Sequence, residues 1–244
     1  MLRLLLAMLA TLLVTQAAII ATSVYLHRGL AHRALKLHPI ADWIFRCILW
    51  ISTGQNRREW VAVHRKHHAF TDKEGDPHSP LMYGFWKIQL WNVYYYVREA
   101  RNPETIARWA KDIKDDMWDR VLFNWGTVGG VVGVTMAMLL FGPIWGFAVA
   151  LTHFVLYVFV LAPAINGLGH WWGRKNFLGN SATNIRLLAW LTGGESLHNN
   201  HHAYPSSPKF SMGRFEFDPS WVVIRVLMLL RLARLVGEKV NLAA

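Results

Sequence analysis

Val121 to Gly173 is a run of 53 residues without one Asp, Glu, Lys or Arg. A helix needs roughly 20 apolar residues to cross a bilayer core of about 30 Å, so this run has the length of two spans. Gly142-Pro143 punctuates its middle as a tight hairpin would, which places the spans near 121–141 and 144–165. Glycines at 126, 129, 130 and 133 permit close helix contact in the first. His153 lies inside the second, and reads as a neutral histidine hydrogen-bonded to a neighbour. A further run, Leu4 to Leu26, is uncharged between Arg3 and Arg28 and would cover roughly 34 Å as a helix. The competing reading is a secretory signal, but the run exceeds the ~7–15 residues of a signal core.

The remaining apolar stretches are broken by charge. Leu37 to Thr53 carries Asp42 and Arg46 and reads as an interfacial or re-entrant helix, with Trp43, Phe45 and Trp50 at interfacial depth. Trp221 to Val236 carries Arg225, Arg231 and Arg234 and reads as a second interfacial helix. Asn102-Pro103-Glu104 has the form of a helix start. Trp109, Ile113, Met117 and Arg120 would then share one half-buried face outside the bilayer. Thr71 to Pro80 is a polar, turn-rich loop. The net charge of +11 suits anionic lipid or an acidic protein better than nucleic acid, given the long uncharged runs. The single cysteine, Cys47, excludes an intrachain disulfide framework and a cysteine-based metal site.

Chemistry enters through histidine. In His64-Arg65-Lys66-His67-His68 the three imidazoles fall within an arc of roughly 100° on a helix. Neutral imidazole is a ligand for iron, zinc or copper. The spacing recurs 134 residues later in His198-Asn199-Asn200-His201-His202. His27 and His32 form a looser pair. Five residues apart, they point about 140° from one another on a regular helix. Sharing a site requires the helix to end or distort, which Gly29 would permit. The alternative for this pair is a basic membrane flank, with Arg28, Arg33 and Lys36 snorkelling to the interface. Eight of the twelve histidines lie in these boxes. A single metal such as zinc takes about four ligands, so eight suit two metals. Glu195-Ser196-Leu197-His198 is an ExxH unit, but no second unit exists to make a carboxylate di-iron bundle. Glu195 therefore reads as a hydrogen-bond partner of a ligand, and His78 as a loop histidine outside the ligand set.

The order HX4H, HX2HH, HX2HH resembles the membrane fatty acyl desaturase family, from about His27 to Trp221. Asp76-Pro77-His78, the run from Gly194 to Pro205, and Phe215-Glu216-Phe217-Asp218-Pro219 carry the same resemblance. The resemblance implies an all-α integral membrane protein forming one domain over residues 1–244, with about three long spans plus interfacial helices. A cytoplasmic helical cap, 27–120 and 166–244, would hold two iron ions. The implied ligands are His27, His32, His64, His67, His68, His198, His201 and His202, joined by His170. The family supplies His170 through its place four residues after Asn166, which would hold a metal-bound water; sequence alone reads His170 as interfacial. The family commonly has two spans before its first box, and this chain has room for one.

Topology tests whether the boxes can meet. One span precedes box one, none separates boxes one and two, and two separate boxes two and three. All three then lie on one side. Arg28, Arg33, Lys36, Arg57, Arg58, Arg65 and Lys66 make that side cytoplasmic, at a bacterial inner membrane. The implied activity is O2-dependent insertion of a cis double bond into a saturated acyl chain, expected on coenzyme A or another acyl carrier. No haem-attachment motif or Gly-rich nucleotide fingerprint is present, so electrons would come from a ferredoxin, rubredoxin or cytochrome b5-like donor. Two alternatives stand beside it. One is an acyl or alkyl hydroxylase using the same metals. The other is a membrane metal carrier, which would be expected to place ligands inside its spans.

Overall fold

A computed structural model describes residues 1–236; the last eight residues of the expected cap lie outside these. In chain order the elements are α1 (Leu2–Ala21), continued by a π-helical segment (Thr22–Ala31), then β1 (Leu35–Leu37), α2 (Pro39–Ser52) and α3 (Arg57–Phe70). Next come α4 (Pro80–Tyr83), α5 (Phe85–Ala100), α6 (Pro103–Trp109), α7 (Gly126–Phe141) and α8 (Pro143–Val155). A further π segment (Leu156–Leu161), α9 (Ala162–Asn166) and a single turn carry α8 on to His170. Short helices α10 (Arg186–Ala189) and α11 (His198–Ala203), then α12 (Pro219–Leu229) and β2 (Ala233–Leu235), complete the described chain.

Among the described residues, two helices are long and apolar enough to cross a membrane, Leu2–Ala31 and Pro143–His170. Their outward faces carry exposed Leu5, Leu9, Leu13, Ile144 and Phe147, a surface suited to lipid. The expected span over 121–141 is shorter in the structure. It begins at Gly126, and its 16 residues cover roughly 24 Å. The reason lies just upstream: Asp119 is buried and paired with Arg46 and Arg57, which folds residues 119–123 into a π turn. Gly142, at φ +83°, and Pro143 at the start of α8 turn the chain back as expected.

The glycines of α7 do allow close contact, and their partner is α2. A Cβ at Gly129 would stand 2.2 Å from the Trp50 carbonyl oxygen, and one at Gly133 would stand 2.0 Å from that of Ile51. Trp50 Nε1 donates to the Trp125 carbonyl at 3.0 Å across the same contact. Arg46, one of the charges that breaks the α2 stretch, is buried and forks onto Asp116 at 2.7 and 3.0 Å.

Three sequence expectations change. The helix expected over 221–236 ends at Leu229, and Ala233–Leu235 pairs antiparallel with Leu35–Leu37. The fold is therefore mainly helical with one small two-stranded sheet, not wholly α. Asn102 does cap a helix, accepting from Glu104 N at 3.0 Å, but that helix stops at Trp109 and leaves Met117 exposed. His153 matches expectation: its Nδ1 meets Thr15 Oγ1 at 3.0 Å and its Nε2 meets the Ser52 carbonyl at 2.9 Å.

Candidate metal centre

Both long helices end where the histidines gather. Leu2–Ala31 delivers His27 from its last turns, and Pro143–His170 delivers His170 as its last residue. Helix α3 lies across them, capped by Asn56, whose Oδ1 accepts from Arg58 N at 2.8 Å and Glu59 N at 3.2 Å. It presents His64, His67 and His68. The six-residue α11 presents His198, His201 and His202. So short a helix needs outside support, and two buried asparagines within it provide this. Asn199 accepts from Asn176 N and Phe177 N, both at 2.8 Å. Asn200 donates to the Phe210 carbonyl at 2.8 Å and to Glu216 at 2.7 Å.

The 140° separation of His27 and His32 disappears in the π segment. Hydrogen bonding from i to i+5 returns every fifth residue to the same side of the helix. His32 N donates to the His27 carbonyl at 3.0 Å, and the two rings lie 4.8 Å apart. Arg28 corrects the flank reading. It is fully buried, donates from Nη1 to Glu195 at 3.1 Å and from Nη2 to both Asp218 oxygens at 3.0 and 3.1 Å, and lies 3.8 Å over the Phe210 ring. Glu195 also accepts from Ser23 and from His27 Nδ1, the latter at 2.5 Å. One carboxylate thus orients a box-one histidine, and one arginine ties that carboxylate to α12.

The nine histidines form two groups. His27, His32, His64, His68 and His201 make one; His67, His170, His198 and His202 make the other. Within each group the available ring nitrogens all lie within 4.8 Å of one another. Nε2 atoms face each other at 3.0 Å for His27 and His201, 2.8 Å for His32 and His64, 2.9 Å for His68 and His201, and 3.1 Å for His198 and His202. Nitrogens each ~2.1 Å from one ion lie roughly 3 Å apart at right angles, so this spacing fits a shared metal in each group. The decisive atoms are His67 Nε2 and His170 Nε2, which are buried and have no hydrogen-bond partner among the described residues. Their Nδ1 atoms are committed to carboxylates, His67 to Asp76 at 2.9 Å and His170 to Asp72 at 2.8 Å. A donated Nδ1–H leaves a lone pair on Nε2, and buried lone pairs aimed at one another call for a cation.

The electrostatics agree. Burial holds His32, His64, His68, His198, His201 and His202 well below the ordinary histidine value, so they are neutral bases at pH 7. Burial opposes ionisation of Asp76, but its pairing with His67 holds it below the usual carboxylate range. For each of the six histidines the unfolded chain binds more protons than the folded one once pH falls below about 6.5. The metal-free protein should therefore lose stability as pH drops through that value, by up to about 1.4 kcal/mol per pH unit per histidine. Thermal unfolding of metal-stripped protein at pH 7.5 and 5.5 measures this, and equal stability at both would contradict it.

Sequence reasoning missed Asp72, which also accepts from Ser79 at 2.5 Å and from Ser181. Its position in a turn-rich loop gave no signal. Asp76 carried only the family resemblance, and it shapes its loop by accepting from Asp72 N at 2.8 Å and His78 N at 3.0 Å. His78 is not a surface residue. It is 4% exposed, stacks on His67 at 4.7 Å, and has no partner at either ring nitrogen. Asp76→Asn should weaken metal binding about 10- to 100-fold by loosening His67. Competition with a chelator reads this directly, and unchanged affinity would remove Asp76 from that role.

Beside the histidines lies a cleft of about 110 Å³ lined by His27, His64, His67 and His198, with Trp60, Leu161 and Ile165 as apolar wall. Asn166 lines it too, donating to Asn92 Oδ1 at 3.0 Å, and Trp60 stacks on His64 at 4.8 Å. Residues 3–215 match the fatty acid desaturase family. The chain belongs to that family. It is 31% identical to Delta-9 acyl-lipid desaturase 1 of Arabidopsis thaliana, covering 93% of this chain and 74% of the relative. Against an acyl-CoA C20 Delta5-desaturase of Anemone leveillei the identity is 31%, over 88% of this chain and 68% of the relative. Against the sn-1 stearoyl-lipid 9-desaturase of Synechocystis it is 32%, over 85% and 64%. This desaturase is thus an oxidoreductase of lipid metabolism with a histidine-rich site compatible with metal.

Proposed function

We propose that this desaturase uses O2 to insert a cis double bond into a saturated acyl chain, carried as a thioester or a lipid ester. Its cofactor is two iron ions. One is held by His27, His32, His64, His68 and His201, and the other by His67, His170, His198 and His202. The observation that carries this reading is the pair of unpartnered, buried Nε2 atoms of His67 and His170, next to an apolar cleft. Bound there, the irons would supply O2 activation and hydrogen abstraction from adjacent methylenes. The acyl chain loses two hydrogens, and O2 with two electrons and two protons becomes two waters.

The protein's own residues do the rest. Asp72, Asp76 and Glu195 keep the Nδ1 protons of His170, His67 and His27 in place, so each Nε2 stays a base. Trp60, Leu161 and Ile165 hold the acyl chain beside the histidines and exclude water, which would quench a substrate radical. Asn166 lines the same cleft and would hold a metal-bound water there. Both long helices run toward the site from one side, which supports a single membrane face for all the boxes. We assign that face to the cytoplasm of a bacterial inner membrane, from its arginine and lysine content. The electrons come from a separate ferredoxin, rubredoxin or cytochrome b5-like protein.

The test is the lipid mass profile of a bacterial host making the protein with a matched electron donor, against a His67→Ala control. A loss of two hydrogens from host acyl chains is expected. A gain of one oxygen would replace this reading with the hydroxylase.

A further inference from the structure

Along the helix Leu2–Ala31 the exposed apolar residues stop early. Leu13 is the last of them, and no residue from Val14 to His32 is exposed. A bilayer core of about 30 Å takes about 20 helical residues. Counted from Leu4, the first residue after Arg3, that reaches Ser23, and any tilt carries it further. Beside Val14 to Ser23, then, the surface that meets lipid belongs to other parts of the chain. One of them is the turn built on α10. Gln16 Nε2 donates to the Leu191 carbonyl at 3.1 Å, and a Cβ at Gly193 would stand 3.0 Å from Ile19 and 3.5 Å from Ile20. The turn therefore lies at the depth of Gln16 to Ile20, although residues 166–244 were expected in a cap outside the bilayer.

Its surface suits that depth. Leu187 is 84% exposed, Trp190 58% and Leu191 49%, so three large apolar side chains point outward from one short turn. Trp190 stacks on Phe217 at 4.1 Å, which fixes its ring in the same surface. Its backbone suits that depth too. Non-helical backbone is tolerated within a membrane only where its polar groups are paired. Leu191 N and Thr192 N both donate to the Leu188 carbonyl at 3.0 Å, and Gly194 N donates to the Ala189 carbonyl at 2.8 Å. The Leu191 carbonyl is the one that Gln16 serves. Gln16 is also the only amide side chain in the uncharged run Leu4 to Leu26, and this carbonyl is its partner.

We propose that residues 186–194 form a re-entrant turn set into the leaflet on the histidine side, with Leu187, Trp190 and Leu191 in contact with lipid hydrocarbon. The next residue, Thr192, is fully buried and lines the cleft beside the histidines, as does Glu195. The wall between leaflet and cleft is thus a single residue thick, with Leu191 outside and Thr192 inside. Arg186, at the start of the turn, has a stem long enough to carry its charge back to the interface. The depth of the turn is independent of the reaction; its service as the wall of an acyl cleft rests on the desaturase reading.

The experiment places a nitroxide label on the turn of the full-length protein in phospholipid bilayers, in a Cys47→Ser background that leaves one reactive thiol. Leu187→Cys is the first site, since its side chain is largely free of packing, and Trp190→Cys is the second. Leu9→Cys on the exposed face of α1 gives the reference for lipid, and Glu104→Cys on the exposed start of α6 gives the reference for water. Relaxation of each label is measured with O2, which partitions into hydrocarbon, and with a water-soluble nickel chelate. At both turn sites O2 should act several-fold more strongly than nickel, as at Leu9 and opposite to Glu104. Nickel acting more strongly at both turn sites would overturn the re-entrant placement. Spin–spin broadening at Leu187 that vanishes on dilution with unlabelled protein would put a second copy of the chain on this face, and would overturn it equally. Gln16→Leu should raise the mobility of the Leu187 label, because lipid offers the Leu191 carbonyl no other donor. An unchanged spectrum would mean that water supplies one, against the placement. None of these readings needs turnover, so failure of the desaturase reading and failure of the re-entrant turn are seen separately.

Discussion

Replacing His201 by alanine is expected to abolish turnover, by roughly 10³-fold or more, and to lower bound iron from about two to about one per chain. His67→Ala should do the same through the other group of histidines. The two variants differ in a way the structure specifies. His201 Nδ1 has no hydrogen-bond partner, so removing that ring leaves no buried charge unpaired. His67 is the partner of Asp76, which is itself buried. Its loss takes the side-chain partner from that carboxylate, leaving only the backbone N–H groups of Asp72 and His78, and should cost stability as well as metal, of order 1–3 kcal/mol. Iron content and thermal unfolding, measured on both variants in detergent, separate the two effects. Full activity in either folded variant would remove the shared-metal reading.

The largest effect on folding is expected from Arg28. Its guanidinium is sealed from water and faces two carboxylates, Glu195 and Asp218, which are themselves buried. Arg28→Ala leaves both without a counter-charge, a change that typically costs about 3–5 kcal/mol. Asp218 also accepts from Phe210 N at 2.8 Å and Trp221 N at 3.0 Å, so the start of α12 should loosen with it. Arg28→Lys should rescue little, because one ammonium lacks the two separated nitrogens that fork between Glu195 and Asp218. A fall in melting temperature of roughly 10 °C or more is expected for Arg28→Ala, with Arg28→Lys between it and wild type. A lysine variant as stable as wild type would show that charge alone, not the fork, is required.

Arg28 also marks where sequence reasoning fails. A lone arginine after an apolar run is the ordinary signature of a membrane flank, and nothing nearby in the chain reveals partners 167 and 190 residues away. The same limit applies to the third expected span, shortened because Asp119 pairs with Arg46 and Arg57 from distant elements. It applies equally to β2, whose strand exists only because Leu35–Leu37 lies beside it.

Local spacing decided a great deal. The long uncharged runs set the two helices long and apolar enough to cross a membrane, and three histidine boxes in order set the family. These features depend on periodicity along one backbone, which a sequence displays in full. The grouping of histidines was decided elsewhere. On α3, His64 and His68 are one turn apart and share a face, while His67 is turned about 100° from His68 toward the other group. On α11 the division is mirrored, with His198 and His202 in one group and His201 in the other. Neither box falls within one group. Spacing limits which directions the rings can take, but only the crossing of helices far apart in sequence determines what each ring meets.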